Sequence, residues 1–282
     1  MPAVLNTNVA SLWASKNLLG AQEKMATSVE RLSSGLRINR ARDDAAGLGI
    51  AASLTIQING ANQGVRNLND GISMVQTAEG AIAAASDMAQ RISTLATQAA
   101  NSTYGPDERD AIQKEMQQLM SSIDAINTRT KFSGNQLLNG DSFTIQISNE
   151  SGDTFTLDAA GFEDIGYDST DGGALSDAID GASTATADVA DFNTIQDAAK
   201  TYITTLNAQR SLLGAYQNQL EYTVSNVTDL SGNLSAARSR VQDTDYAAET
   251  ASLTKGQILQ QAATAMLAQA NQMPNVILTL LK

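Results

Sequence analysis

The chain has 282 residues, with 30 Asp and Glu against 18 Lys and Arg, and its net charge of −12 argues against nucleic acid as a partner. It contains no Cys and no His, which excludes disulfides, thiolate chemistry and most zinc, copper and haem ligation, and removes the commonest general acid–base residue. One Trp, five Phe, six Tyr and three Pro suit long thin helices better than the aromatic-rich core of a compact enzyme.

Charge is unevenly spread. Residues 1–42 hold Lys16, Lys24, Arg31, Arg37, Arg40 and Arg42 against Glu23 and Glu30, a net of +4, so the remainder carries −16. No stretch approaches about 18 consecutive apolar residues, so no membrane span is expected. Met1 to Leu12 lacks the charged region and apolar run of a secretory signal. The protein therefore either stays inside the cell or leaves by a route that cleaves no signal, and the lack of cysteine suits an oxidising exterior.

Residues 4–36 read as a helix, with Leu5 and Leu12 seven apart and then a seam of Leu18, Gln22, Met25, Val29, Leu32 and Leu36. At Asn39–Gly47, Arg40, Arg42, Asp43 and Asp44 put charges of both signs before small residues, the pattern of an ion-paired joint between domains. Paired carboxylates also occur in acid–base and metal sites, but neighbours on a helix point about 100° apart and do not serve one site. Gly47-Leu48-Gly49 follows no strand and has no third glycine, so it is a poor nucleotide motif. A long helix over about 48–100 comes next, seamed by Ala51, Leu54, Ile58, Ala61, Val65, Leu68, Ile72 and Val75. Its Gly60, Gly64, Gly71 and Gly80 weaken it by about 1 kcal/mol each relative to Ala and permit close backbone approach. Pro106 suits the first turn of a helix over 106–129, with Asp107 and Glu108 favourable to its dipole.

At Asp141 the period changes. Phe143, Ile145 and Ile147, then Phe155 and Leu157, alternate with polar residues around Gly152, which predicts a β-hairpin. Residues 159–190 are polar and small and read as an exposed loop with a short helix at 174–181. From Ile195 a 4-3 repeat runs through Ala199, Tyr202, Leu206, Gln209, Leu213, Tyr216, Leu220, Thr223, Val227, Leu230, Leu234 and Ala237 to Val241, the signature of a helix in a coiled coil or long bundle. The last helix is seamed by Leu259, Ala263, Met266, Ala270, Met273, Ile277 and Leu280, with a kink expected near Gln272 because Pro274 removes a hydrogen bond. The expected fold is mainly α: a long coiled-coil or helical-bundle rod (helices about 48–100, 106–129 and 195–238), a small β-hairpin insert at about 141–190, and paired N- and C-terminal helices.

Several runs resemble a known family, bacterial flagellin, the subunit of the flagellar filament. They are Leu5-Asn6-Thr7-Asn8, Glu30 to Asn39, Asp43-Asp44-Ala45-Ala46-Gly47, Gln98 to Thr103, Phe132-Ser133-Gly134, Leu137-Leu138-Asn139-Gly140, Leu259-Gln260-Gln261-Ala262 and Ala268 to Gln272. The likeness covers roughly 1–140 and 195–282. It implies a filament-core domain from 1–43 and 243–282, a rod domain from 44–242, and no separate outer domains, since only the hairpin and loop fit between Gly140 and Asp191. Core packing would fall to Leu5, Leu12, Leu18, Met25, Val29, Leu32, Leu259, Met266, Leu267, Ile277 and Leu280.

The resemblance further implies a secreted, extracellular homopolymer in the bacterial flagellum. Its partners would be other copies of itself, the type III export apparatus, the filament cap, hook-associated proteins and a chaperone of its C-terminal segment. Recognition by Toll-like receptor 5 would involve Arg91, Leu95 and Glu115, which read equally well as rod-packing residues; Thr94 stands where many recognised flagellins carry Glu. Some flagellins carry an inserted metallopeptidase, which needs His-Glu-x-x-His and is excluded in a chain without histidine. No enzyme activity and no cofactor are expected. The alternative role is a hook–filament junction protein or a secreted adhesin with the same ends.

Overall fold

The computed structural model describes residues 7–167, 169–182 and 189–280, with side chains as far as 272. Among these residues the order is α1 (Val9–Ser34), α2 (Ala45–Ala99), α3 (Pro106–Arg129), β1 (Lys131–Phe132), β2 (Asn135–Gln136), β3 (Phe143–Gln146), β4 (Thr154–Leu157), α4 (Thr170–Gly181), α5 (Val189–Gln242) and α6 (Tyr246–Leu280). The fold is thus mainly helical with small hairpins. The chain divides into two compact units, residues 1–56 with 233–282 (unit 1) and residues 57–232 (unit 2). Unit 1 holds ten Lys and Arg against seven Asp and Glu, a net of +3; unit 2 holds eight against twenty-three, a net of −15.

Unit 2 has the large core. On α5 the buried positions are Phe192, Ile195, Ala199, Tyr202, Leu206, Gln209, Leu213, Tyr216, Leu220 and Val227, the expected repeat. The repeat then slips: Leu230 is exposed and Ser231 is buried, its Oγ donating to Asn62 Oδ1 at 2.9 Å. A straight α-helix turns every 3.6 residues, so a 3.5-residue repeat drifts about 20° per heptad, and over this length one step of four must replace a step of three. From α2 come Leu68, Val75, Ala78, Ile82, Ala85, Ala89, Ile92 and Leu95; from α3 come Met116, Met120 and Ile123.

The hairpin is seated by backbone contact. β3 pairs antiparallel with β4, Phe143 facing Leu157 and Ile145 facing Phe155. A Cβ at Gly64 of α2 would stand 1.6 Å from the carbonyl oxygen of Ile147, so only glycine lets strand and helix approach this closely. One turn on, Asn67 Nδ2 donates to the Gln146 carbonyl at 2.9 Å.

Two parts of unit 2 differ from expectation. A second, two-residue hairpin, Lys131 and Phe132 against Gln136 and Asn135, lies where only a helix end was expected; strands this short leave no alternation to read. The segment after β4 is not an exposed loop over its described residues. Phe162, Ile165, Leu175, Ile179 and Ala182 are buried, and Phe162 meets Phe143 edge-on at 5.1 Å. Polar side chains from α3 and α5 hold the segment in place. Gln113 Nε2 donates to the carbonyls of Ile179 and Ala182 at 2.6 and 2.7 Å, Asn127 Nδ2 donates to Asp164 Oδ1 at 2.8 Å, and the Tyr202 hydroxyl donates to the Ile165 carbonyl at 2.6 Å. Burial, with Asp164 nearby, pushes the Tyr202 hydroxyl well above its ordinary value of 10.0.

Candidate self-assembly surface

Unit 1 is built on α1 and α6, which run antiparallel. Asn8 starts α1, accepting from the Ser11 amide at 3.1 Å and donating from Nδ2 to the Ala270 carbonyl at 2.7 Å. The Ser11 hydroxyl donates to Asn271 Oδ1 at 3.0 Å. Near the other end of α1, Arg31 Nη1 lies 3.5 Å from Glu249 Oε2. Asp245 caps α6, accepting from the amides of Ala247 and Ala248 at 2.9 and 3.2 Å.

The seam between these helices is made of small residues. Ala14, Ala21 and Ser28 are buried on α1, with Gly256, Ala263 and Ala270 on α6. A Cβ at Gly256 would stand 3.6 Å from Met25 Cβ. The seam expected on Leu18, Gln22, Met25, Val29, Leu32 and Leu36 is therefore corrected: Leu18, Met25 and Leu32 are half-buried between the small residues, while Gln22 and Val29 face out. On α6, Leu259 and Met266 leave the expected seam, and Leu267 is half-buried. The small residues allow the two backbones to come close, with bulky side chains flanking the seam or standing on the outer faces.

Those outer faces carry large apolar side chains among polar ones. Leu12 is 61% exposed and Met266 64%, in company with Val9, Trp13, Leu19, Val29, Ile258 and Leu259. Leu12 and Leu19, like Leu259 and Met266, lie one heptad apart and stack on one face of their helix. Lys16 Nζ rests 5.7 Å from the centre of the Trp13 ring. Clustered exposed side chains of this size mark an interaction surface. Leu5 lies outside the described residues, as do the side chains of Met273, Ile277 and Leu280; helix α6 continues through Pro274.

Between α1 and α2 the chain is held by local hydrogen bonds. Gly35 ends α1 at φ +73°, its amide donating to the Arg31 carbonyl at 2.8 Å, and a Cβ there would meet the Tyr246 hydroxyl at 3.1 Å. The next residues pair with the end of α5: the Arg37 amide donates to the Gln242 carbonyl at 2.7 Å and the Thr244 amide to the Gly35 carbonyl at 2.9 Å. Asp43 Oδ2 accepts from the amides of Arg40 and Asn39 at 3.0 and 3.2 Å, and the Arg40 amide bond above all holds its carboxyl below the ordinary value. Asp44 Oδ1 accepts from the Gly47 amide at 2.8 Å, capping α2. Arg42 lies 3.7 Å from Asp43, whereas Arg40 pairs with Glu30 at 2.9 Å. The two carboxylates thus bind backbone at separate places.

In unit 2, Arg91 Nη2 and Nε donate to Glu115 Oε1 at 2.8 and 3.2 Å, a surface pair linking α2 and α3. Leu95 is 2% exposed. It packs in the core of unit 2 and offers almost no surface to a partner.

Comparison with known proteins fits this layout. The bacterial flagellin N-terminal helical region matches residues 5–142, and the bacterial flagellin C-terminal helical region matches residues 196–281. The chain belongs to the bacterial flagellin family, the subunits of the flagellar filament. It is 39% identical to a flagellin of Halalkalibacterium halodurans, covering 99% of this chain and 100% of that one, and 39% identical, with the same coverage, to the flagellar filament 33 kDa core protein of Treponema phagedenis. The flagellin of Bacillus subtilis is 38% identical over 99% of each chain. The crystal structure of Bacillus cereus flagellin matches 61% of this chain and 94% of that one, with 32% identity and a TM-score of 0.46. Among the described residues no helix is long and apolar enough to cross a membrane.

Sequence reading placed Ala263 and Ala270 in the seam of unit 1 but missed Gly256 and the small residues of α1. The heptad spacing of Ala14, Ala21 and Ser28, matched by Gly256, Ala263 and Ala270, was the available signal.

Proposed function

We propose that this filament subunit polymerises through its terminal segments, 1–43 and 243–282, which pack into the filament core, while 44–242 forms the surrounding rod. The observation that supports it is the turning-out of large apolar side chains from a seam of small ones on α1 and α6. Two lone helices leave such surface in water, whereas neighbouring copies cover it. The contact is head-to-tail, one patch against a different patch, because a self-complementary contact closes into a dimer and an open one propagates a helix. The double variant Leu12→Asp, Met266→Asp tests the reading. Light scattering and electron microscopy should show no filament, while the soluble subunit keeps its melting temperature. Normal filaments from this variant would sink the proposal. A hook–filament junction protein or adhesin with the same ends is less well supported, because flagellins match the chain through its middle as well, at 38–39% identity over 99% of its length.

Family membership supports the finer parts of the reading: export from the cell through the flagellar type III apparatus, delivery by a chaperone, addition beneath the cap, and junction to hook-associated proteins. It also supports Toll-like receptor 5 as a partner. The exposed Arg91–Glu115 pair is the part of the receptor motif able to meet a partner, whereas Leu95 is buried. Arg91→Ala should lower the response of receptor-expressing reporter cells; an unchanged response excludes the pair as a contact.

A further inference from the structure

We propose that Asn8 is a positioning residue that locks the register of α1 against α6, supplying the hydrogen bond that Pro274 cannot make. The proposal rests on the packing of the terminal segments into the filament core.

In an α-helix the N–H of each residue donates to the carbonyl four positions before it. Proline has no N–H, so at Pro274, the one proline of α6, the Ala270 carbonyl is left without its helical donor. Helix α6 nevertheless runs unbroken from Tyr246 to Leu280. Ala270 lies in the seam and is 5% exposed, and a buried carbonyl left unpaired is costly. The missing donor comes from the other helix: Asn8 Nδ2 reaches the Ala270 oxygen at 2.7 Å.

Asn8 is held for this task by α1 itself. Its Oδ1 accepts from the Ser11 amide at 3.1 Å, which fixes the side chain and leaves Nδ2 to point across the pair. Among the residues that cap a helix well, asparagine alone carries an N–H donor beside its acceptor. The adjoining contact runs the same way, the Ser11 hydroxyl donating to Asn271 Oδ1 at 3.0 Å.

The seam itself does not fix the register. Ala14, Ala21 and Ser28, like Gly256, Ala263 and Ala270, recur every seven residues, so a slide of one heptad again sets small residues against small ones. A single polar pair in a repeating seam specifies register, because sliding leaves it unpaired. The capping asparagine and the orphan carbonyl each occur once, and one register brings them together. That register sets how Leu12 of α1 and Met266 of α6 are presented to neighbouring copies.

The test is a double-variant cycle on the full-length chain, read by light scattering as the critical concentration for polymerisation. Asn8→Asp keeps the cap and loses the donor; Asn8→Ser keeps the cap and loses the amide without adding charge. In the parent chain each should raise the critical concentration about fivefold or more, the scale of one hydrogen bond lost from a buried carbonyl. In Pro274→Ala, where position 274 regains its N–H, the same changes should alter it by less than about twofold, the limit of ordinary additivity. An asparagine that served only as a cap would show no loss with Asp in either background. The chain has no cysteine, so Ser11→Cys with Asn271→Cys reads the register directly by disulfide cross-linking of filaments. Cross-linking should be efficient with Asn8 and Pro274 both present and should fall when either is replaced. Equal losses in both backgrounds, no loss in either, or unchanged cross-linking in Asn8→Asp overturns the lock. Cross-linking decides the question even if Pro274→Ala does not polymerise. Normal filaments from the Leu12→Asp, Met266→Asp variant would instead remove the assembly surface, so the two failures are told apart.

Discussion

Unit 2 buries Phe162, Phe192, Tyr202, Met116 and Ile82 completely, whereas the buried positions of α1 and α6 are Ala14, Ala21, Ser28, Gly256, Ala263 and Ala270. Both are helical, and both are rich in large apolar residues. They differ in where those residues point. In unit 2 they fill the chain's own core, and each contributes about 1.5–3 kcal/mol on burial. In the helical pair of unit 1 many stay outside, so the pair gains little from folding alone while still bearing the full cost of ordering its backbone. The contrast predicts that unit 2 folds by itself and that the helical pair orders only against neighbours.

The largest expected effect follows from that contrast. In dissociated subunits α1 and α6 should be mostly unfolded and should order on polymerisation. Limited proteolysis should trim the monomer from both ends to a fragment near 44–242. Circular dichroism should show helicity rising on assembly, and Trp13 emission should shift to the blue. Ends that resist protease in the monomer as well as unit 2 does would remove the contrast.

Next in size is Leu213→Asp. Leu213 is fully buried on α5, and a carboxylate there has no partner, so unit 2 should lose roughly 3–5 kcal/mol. Thermal unfolding of the soluble subunit measures this; an unchanged melting temperature would mean that the α5 seam is not a core. Gly64→Ala should cost about 1–3 kcal/mol, because its methyl collides with the Ile147 carbonyl. Gly80→Ala, where nothing lies within 4 Å, should instead stabilise by up to about 1 kcal/mol. Equal effects at the two glycines would show that the hairpin is not seated on α2.

The same contrast explains what was legible. Periodicity located α3 to the residue and the seam of α5 from Ile195 to Val227, because there one stripe of large residues meets one core. On α1 the large residues were counted as the seam, and on α6 they were counted together with the buried Ala263 and Ala270, because two apolar surfaces compete on each helix. Periodicity does not tell which faces the chain itself and which faces a neighbour; residue size does, since only small residues allow the close approach. The stretch after β4 hid its buried Phe162, Ile165, Leu175 and Ile179 among Gly, Asp and Ser. What orders it are Gln113, Asn127 and Tyr202 from distant helices, and a partner so far away in sequence leaves no local trace.

The smallest effects are those of pH, and they oppose the two units. Asp43 lies in unit 1 with its carboxyl held below the ordinary 3.8, chiefly by the Arg40 amide. A lowered carboxyl stabilises the folded state above its unfolded value and loses that contribution as pH falls through the folded value. The link after α1 should therefore loosen below about pH 4, and Asp43→Asn should remove that dependence without touching unit 2. Tyr202 lies in unit 2 with its hydroxyl raised by burial above 10.0. A raised group contributes fully below its unfolded value and loses the contribution as pH climbs toward the folded one, so unit 2 should weaken progressively above pH 10. Tyr202→Phe should lose about 1 kcal/mol at neutral pH with the bond to the Ile165 carbonyl, and it should flatten the alkaline limb. Carboxyl-carbon NMR titration reads the first limb and tyrosinate absorbance the second. Should Asp43 titrate at its ordinary value, or Tyr202 ionise with the exposed tyrosines, the corresponding half of the contrast is lost.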